Sequence, residues 1–225
     1  MSLKIKKDSF GSTLSYKFLV LGDQMVGKTS VIERYINKTF KANYLLTIGM
    51  DKRLKRLEIN NTDVDIFITD TAGEERFRSL TKMFYKGADG VLVGFSLTEP
   101  KSFESINYWV EEINEKCSKE NPISLVLFGN KCDDKENIQV EQEEIDELTK
   151  KYDLKYFETS AKENINIQNA FEYLTKITII KRKNLKNIGL PEEATLDDIV
   201  INEKENQKLE VKRRRRSTVK KKNCC

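Results

Sequence analysis

The stretch Gly22 Asp23 Gln24 Met25 Val26 Gly27 Lys28 Thr29 follows the apolar run Phe18 Leu19 Val20 Leu21 and opens a helix-like run at Ser30. A glycine-bounded loop between a strand and a helix turns successive backbone N–H groups toward an anion, and the helix N-terminus adds positive potential. Lys28 is placed to reach the outer phosphates of a nucleotide, and the Thr29 hydroxyl to ligate Mg²⁺. Gly22 to Ser30 therefore read as the phosphate cradle of a nucleoside triphosphate. A turn carrying an exposed lysine is the plainer alternative, and the residues that follow weigh against it.

Asp70 Thr71 Ala72 Gly73 closes a strand-like run. An aspartate there can orient the Mg²⁺ shell, and Gly73 lets a backbone N–H approach a γ-phosphate. Thr47, in the stretch from Tyr44 to Gly49, offers a hydroxyl that could join the metal only while a γ-phosphate draws the loop inward. The base is read further on. Asn130 Lys131 Cys132 Asp133 follows the apolar run Leu125 to Phe128. The Asp133 carboxylate can accept two parallel hydrogen bonds from N1–H and the exocyclic amine of guanine, whereas adenine presents an acceptor at N1 and no amine at C2. The Lys131 stem can lie along the base, and the backbone of Ser160, Ala161 and Lys162 can donate to guanine O6. The composite expectation is a GTP/GDP site with Mg²⁺ held by Thr29, Thr47 and Asp70, all oxygen donors, as that ion prefers.

The elements that must position these residues alternate along the chain. Strand-like runs fall at 16–21, 51–59, 63–69, 91–96, 123–129 and 155–158, and helix-like runs at 28–37, 101–117, 141–152 and 164–182. This pattern predicts an α/β fold: a doubly wound, mostly parallel six-stranded sheet with helices on both faces, one antiparallel edge hairpin turning at Asn60 and Asn61, and the site at the carboxyl ends of the strands. Ile167, Ala170, Phe171, Leu174 and Ile177 recur at helical spacing and read as core.

With 225 residues, 38% of them hydrophobic, the chain suits one ordinary domain with extensions. We expect a flexible arm at 1–15, a domain at 16–182 and a disordered tail at 183–225, where Pro191 and the loss of periodicity end the pattern. No window approaches about 20 apolar residues and the basic N-terminus lacks an apolar stretch, so neither a spanning helix nor a secretory signal is expected. Cys117 and Cys132 stand isolated and histidine is absent, which disfavours a disulfide framework or a zinc site. The net charge of +4 belongs to the tail, where residues 183–225 carry 12 Lys and Arg against 7 Asp and Glu. Lys212 to Arg216 and Lys220 to Lys222 form a basic run that would attract an anionic membrane; a solvated charge run or a nucleic-acid patch is the competing reading.

Together these motifs make the chain resemble the Rab family of Ras-superfamily small GTPases, over about Tyr16 to Arg182 plus the terminal Cys224 and Cys225. Thr47 Ile48 Gly49 corresponds to switch I, Glu75 to Thr81 resembles switch II, Glu158 to Lys162 matches the Glu-Thr-Ser-Ala-Lys motif, and Phe40 falls where the family keeps an aromatic against the base. The resemblance implies a membrane-anchored switch in vesicle-mediated transport that hydrolyses GTP. It implies a catalytic set of Lys28, Thr47, Gly73 and the residue after it, and two geranylgeranyl groups on Cys224 and Cys225 in place of a Cys-a-a-X ending. The implied location is the cytoplasmic face of an endomembrane or the plasma membrane, with a cytosolic pool. The implied partners are an exchange factor, a GTPase-activating protein, prenylation escort machinery, a GDP dissociation inhibitor and effectors, with no nucleic acid. The chain also departs from the family. Glu74 stands where Rabs carry the water-orienting Gln, Gln24 and Met25 add bulk to the phosphate loop, and Lys52 and Thr69 replace two members of the apolar effector triad, Phe84 keeping the third. Slow hydrolysis is expected, and a GTP-binding interaction module with little or no turnover is the alternative reading.

Overall fold

The computed structural model describes residues 14–41, 50–71, 87–116 and 123–204. Its strands are β1 (Leu14–Leu21), β2 (Met50–Ile59), β3 (Thr62–Thr71), β4 (Gly90–Ser96), β5 (Ser124–Asn130), β6 (Lys155–Glu158) and β7 (Ile201–Glu203). The helices are α1 (Lys28–Asn37), α2 (Pro100–Lys116), α3 (Gln142–Tyr152) and α4 (Ile167–Lys181), with 3-10 turns at Lys135–Asn137 and Leu185–Ile188. The strands form one sheet in the order β6-β5-β4-β1-β3-β2-β7. Pairing is parallel from β6 through β3 and antiparallel for β3 with β2 and β2 with β7.

Alternation along the central strands sorts the core into two layers, because successive side chains of a strand point to opposite faces. Phe18, Val20, Leu92, Val126 and Phe128 face α1 and α4, meeting Val31, Ile32, Tyr35, Phe171 and Leu174. Leu19, Leu21, Val91, Val93 and Leu127 face α2 and α3, meeting Ile106, Val110, Ile113, Ile145 and Leu148. Every residue of β4 is buried, as expected for a strand covered on both faces. Tyr35 of α1 stacks on Phe171 of α4 with ring centroids 4.0 Å apart. Thr175 and Thr178 are buried in α4 at no loss of hydrogen bonding, since their hydroxyls donate to Phe171 O and Leu174 O. The hairpin turns where expected: Asn60 and Asn61 both have positive φ, 47° and 63°, as a tight two-residue turn between twisted strands requires.

Two expectations need correction. The sheet has seven strands, not six, and residues 183–204 are ordered instead of belonging to a disordered tail. Leu185, Ile188 and Ile199 are buried in the α1/α4 layer, with Leu190, Ala194 and Ile201 packed against it. The Asn60 side chain at the hairpin accepts from Val200 N–H at 2.8 Å and donates to Asp198 O at 3.1 Å. The apolar residues of this segment are too irregularly spaced to announce a helix or a strand; the order comes from the surface they land on. Among the described residues no helix is long and apolar enough to cross a membrane. Of the expected arm at 1–15, Leu14 and Ser15 instead begin β1 and residues 1–13 lie outside the described residues, as do the residues after Lys204 and Thr47, Gly73, Glu74, Phe84, Cys117, Cys224 and Cys225.

Because Ile199 is 1% exposed within the core, Ile199→Ala is expected to lower stability by about 2–5 kcal/mol in denaturant unfolding. Cutting the chain after Arg182 should destabilise it at least as much, and cutting after Lys204 should not. An unchanged midpoint for Ile199→Ala would return this segment to the tail.

Candidate nucleotide site

The phosphate loop leaves β1 at Leu21 and re-enters regular structure at Lys28, and its two glycines are each required by a close approach. Gly22 has φ +135°, and a Cβ there would fall 2.1 Å from Gly94 O on β4. Gly27 has φ +98°, and a Cβ there would fall 2.3 Å from Asn130 Nδ2. That amide donates to Val26 O at 2.9 Å, so the end of β5 fastens the loop from above. Lys28 is 5% exposed, and its Nζ donates to Gly22 O at 2.9 Å and Asp23 O at 2.7 Å. Burial lowers its pKa to about 8, against the pull of Asp70 and Asp23. Phosphate oxygens would favour the protonated form. Gln24 and Met25, the bulky departures, are both exposed; Met25 has φ 63° and borders the pocket mouth, so their bulk does not fill the cradle.

Asp70 stands near the end of β3, 1% exposed. Burial raises its pKa, opposed by a hydrogen bond from the Thr29 side chain and by the charge of Lys28. Its Oδ1 is buried and finds no hydrogen-bond partner among the described residues. A buried carboxylate oxygen without a partner beside a threonine hydroxyl is a fitting donor set for a hard divalent cation. No group of three or more His, Cys, Asp or Glu among the described residues could hold a metal, so an ion here would draw its remaining ligands from hydroxyls, water and phosphate.

The residues expected to read a base meet at the ends of β5 and β6. An open pocket of about 480 Å³ is lined by Met25, Gly27, Ser30, Phe40, Asn130, Lys131, Asp133, Ala161 and Lys162 among others. Lys41 and Asp134 also line it, and neither is marked by the sequence. Lys131 takes φ +70°, which turns its side chain into the pocket lining. Asp133 accepts from Ser160 Oγ at 2.6 Å, and Lys162 Nζ stands 3.6 Å from its other oxygen. These contacts fix the carboxylate at the pocket wall. Two details differ from the expectation that the backbone of 160–162 donates to the base. The Ser160 N–H pairs with Ile165 O at 3.2 Å, and the Ala161 N–H donates to Asn130 Oδ1 at 3.2 Å. Asn130 is therefore a joint between the phosphate loop and the 160–162 loop.

Other residues that build the site were not legible in the sequence. Arg34 of α1 donates from Nε to Ala161 O and from Nη2 to Lys162 O, both at 2.8 Å, and its carbon Cζ lies 5.9 Å from the centroid of the Phe40 ring. A basic residue on a helix face ordinarily reads as solvated, so nothing marked it. Trp109 Nε1 and Ser105 Oγ of α2 donate to the Asp23 carboxylate at 3.0 and 2.6 Å, holding the loop from the opposite layer. That Trp109 is the chain's one tryptophan was a signal of importance, though not of this contact.

The chain matches the Ras family over residues 17–180. It is 36% identical over 178 residues to the Ras-related protein Rab-13 of Bos taurus, covering 78% of this chain and 87% of that protein. It is 40% identical over 161 residues to the Ras-related protein Rab-8A of Gallus gallus, covering 72% of this chain and 77% of that one. With a glycine-bounded phosphate loop, a buried aspartate and a base pocket converging on one sheet end, the chain belongs to the Rab family of Ras-superfamily small GTPases.

Proposed function

We propose that the pocket binds GTP and GDP through Gly22 to Ser30, Phe40, Asn130, Lys131, Asp133 and Ser160 to Lys162, with Mg²⁺ held by Thr29, Asp70 and Thr47. The observation that supports this most directly is the convergence of the phosphate loop, Asp70 and Asp133 at the carboxyl ends of β1, β3 and β5, where doubly wound sheets hold their ligands. As a Rab-like small GTPase the chain hydrolyses GTP and serves vesicle-mediated transport. Mg²⁺, when bound, neutralises phosphate charge.

The reaction is in-line displacement: water oxygen bonds to the γ-phosphorus, the bond from that phosphorus to the β–γ bridging oxygen breaks, and the water's protons pass to solvent and phosphate. Lys28 offsets charge on the outer phosphates, and the resemblance assigns the γ-phosphate contact to the Gly73 N–H and the attacking water to the position of Glu74. An ionised carboxylate there accepts a hydrogen bond but cannot donate toward the transition state, and its charge opposes the charge developing on the phosphoryl oxygens. Intrinsic turnover is therefore slow. Cys224 and Cys225 carry two prenyl groups, and the basic run from Lys212 to Lys222 adds attraction to an anionic leaflet on the cytoplasmic face of an endomembrane or the plasma membrane. Regulators and effectors read the nucleotide state; those proposed are an exchange factor, an activating protein, an escort for prenylation and a GDP dissociation inhibitor.

Three outcomes are expected. Asp133→Asn should weaken GTP and GDP strongly and shift preference toward xanthine nucleotides, whose C2 oxygen can accept from the new amide; equilibrium binding of both nucleotide classes decides it, and equal GTP affinity removes Asp133 from base reading. Glu74→Gln should accelerate single-turnover GTP hydrolysis by about tenfold to a hundredfold with nucleotide affinity nearly unchanged; a wild-type rate equal to the variant's would assign the water to another group. Deleting Cys224 and Cys225 together should move the protein into the soluble fraction of cells, and continued sedimentation with membranes would count against a lipid anchor.

A further inference from the structure

The match to the Ras family ends at residue 180, and the described chain continues to Lys204 as a strap along the sheet edge. After Leu185, Ile188 and Ile199 seat this segment in the core, β7 adds to the far end of β2, pairing Ile201 with Ile59 and Glu203 with Leu57. Glu203 thereby stands level with Leu57 and Val64, at the end of the sheet away from Asp70 but beside the C-terminal end of α1. There Glu203 Oε1 lies 2.6 Å from Lys38 Nζ and 3.3 Å from Lys55 Nζ. Lys55 is 3% exposed, with its ammonium 5.2 Å from the Tyr35 ring centroid on α1. Burial lowers its pKa and Glu203 opposes that shift, so the strap supplies the carboxylate for a cation enclosed between α1 and β2.

Lys38 caps α1 in a left-handed conformation, and its Nζ also donates to Gln168 Oε1 of α4 at 3.1 Å. Arg34 Nη1 donates to Lys38 O at 3.0 Å while the rest of its guanidinium holds Ala161 O and Lys162 O. Two and three residues beyond Lys38, Phe40 and Lys41 line the pocket together with Ala161 and Lys162. A continuous set of polar contacts thus runs from Glu203 through Lys38 and Arg34 to the pocket rim.

We propose that residues 183–204 form a clasp on the nucleotide pocket, in which Glu203, by pairing with Lys38 and Lys55, holds the Lys38–Lys41 wall in place and slows the release of bound guanine nucleotide. This rests on the reading of the pocket as a GTP/GDP site. Exchange is then restrained by the chain's own C-terminal segment, and displacement of β7 from β2 speeds it.

The test is release of a fluorescent GDP from the full-length chain, chased with excess unlabelled GDP. Glu203→Gln keeps the shape and removes the charge; it is expected to speed release about threefold to tenfold, consistent with a partly buried ion-pair network. Lys38→Met should act in the same direction, and the double variant should show less than the sum of the single effects, because both remove the Lys38–Glu203 pair. Raising salt should speed release more in the wild type than in Glu203→Gln, a difference that loosened packing alone would not produce. Glu192→Gln, which breaks the exposed pair with Lys186 elsewhere on the strap, should leave the rate unchanged. Unchanged release in Glu203→Gln overturns the clasp, as does equal acceleration in Glu192→Gln. Failure of the wild type to bind GDP overturns the pocket reading itself, and the clasp with it.

Discussion

A triphosphate can be drawn out of water only by a site that surrounds its charge with donors and cations already in place, and in the proposed reading that requirement falls on the eight residues from Gly22 to Thr29. Most of the surrounding structure can be understood as support for that loop. Gly22 has no Cβ because Gly94 O of β4 occupies the space, and Gly27 has none because the Asn130 amide does. Lys28, enclosed by the loop carbonyls it bonds, is held as a cation at the cost of burial, which lowers its pKa to about 8. The loop is fastened from both layers of the core: by Asn130 at the end of β5 and by Trp109 and Ser105 on α2. A loop so constrained needs little reorganisation when the anion arrives, and preorganised donors are what make such a site effective.

The base pocket is an extension of the same logic. Asn130 joins the phosphate loop to the 160–162 loop, so the two loops share one side chain. Asp133 is steadied by Ser160, whose hydroxyl also accepts from the Glu163 N–H, and Arg34 ties α1 to the same loop. The pocket residues around Asp133 are therefore mechanically continuous with the glycine-bounded loop.

The sheet edge shows a different economy. An exposed edge strand presents unpaired N–H and C=O groups and invites pairing with another chain. Here β7 covers the Leu57–Ile59 end of β2, and the apolar residues of the strap extend the α1/α4 layer beyond the region shared with the Ras family. Lys204 reinforces the junction through ion pairs with Glu58 and Asp63. Individually such exposed pairs contribute little; the buried Leu185, Ile188 and Ile199 supply most of the hold.

What the sequence determined by itself was everything written in contiguous residues or in a single period. The phosphate loop, the alternation of strands and helices, the Asn60-Asn61 turn and the apolar stripe of α4 are local patterns, and local sterics and periodicity decide them. Gly27, Asn130, Lys131, Asp133, Ala161 and Lys162 of the pocket lining lie in short motifs of the same local kind, whereas Lys41 and Asp134 carry no such signal. Only the tertiary structure decided the seventh strand, the role of Arg34, the hold of Trp109 on Asp23 and the use of Asn130 as a joint. Leu185, Ile188, Leu190, Ile199 and Ile201 have no common period, and Arg34 and Trp109 act on partners 127 and 86 residues away. Their order comes from burial against surfaces that exist only after the sheet has formed, and nothing in the neighbouring residues encodes which surface that will be.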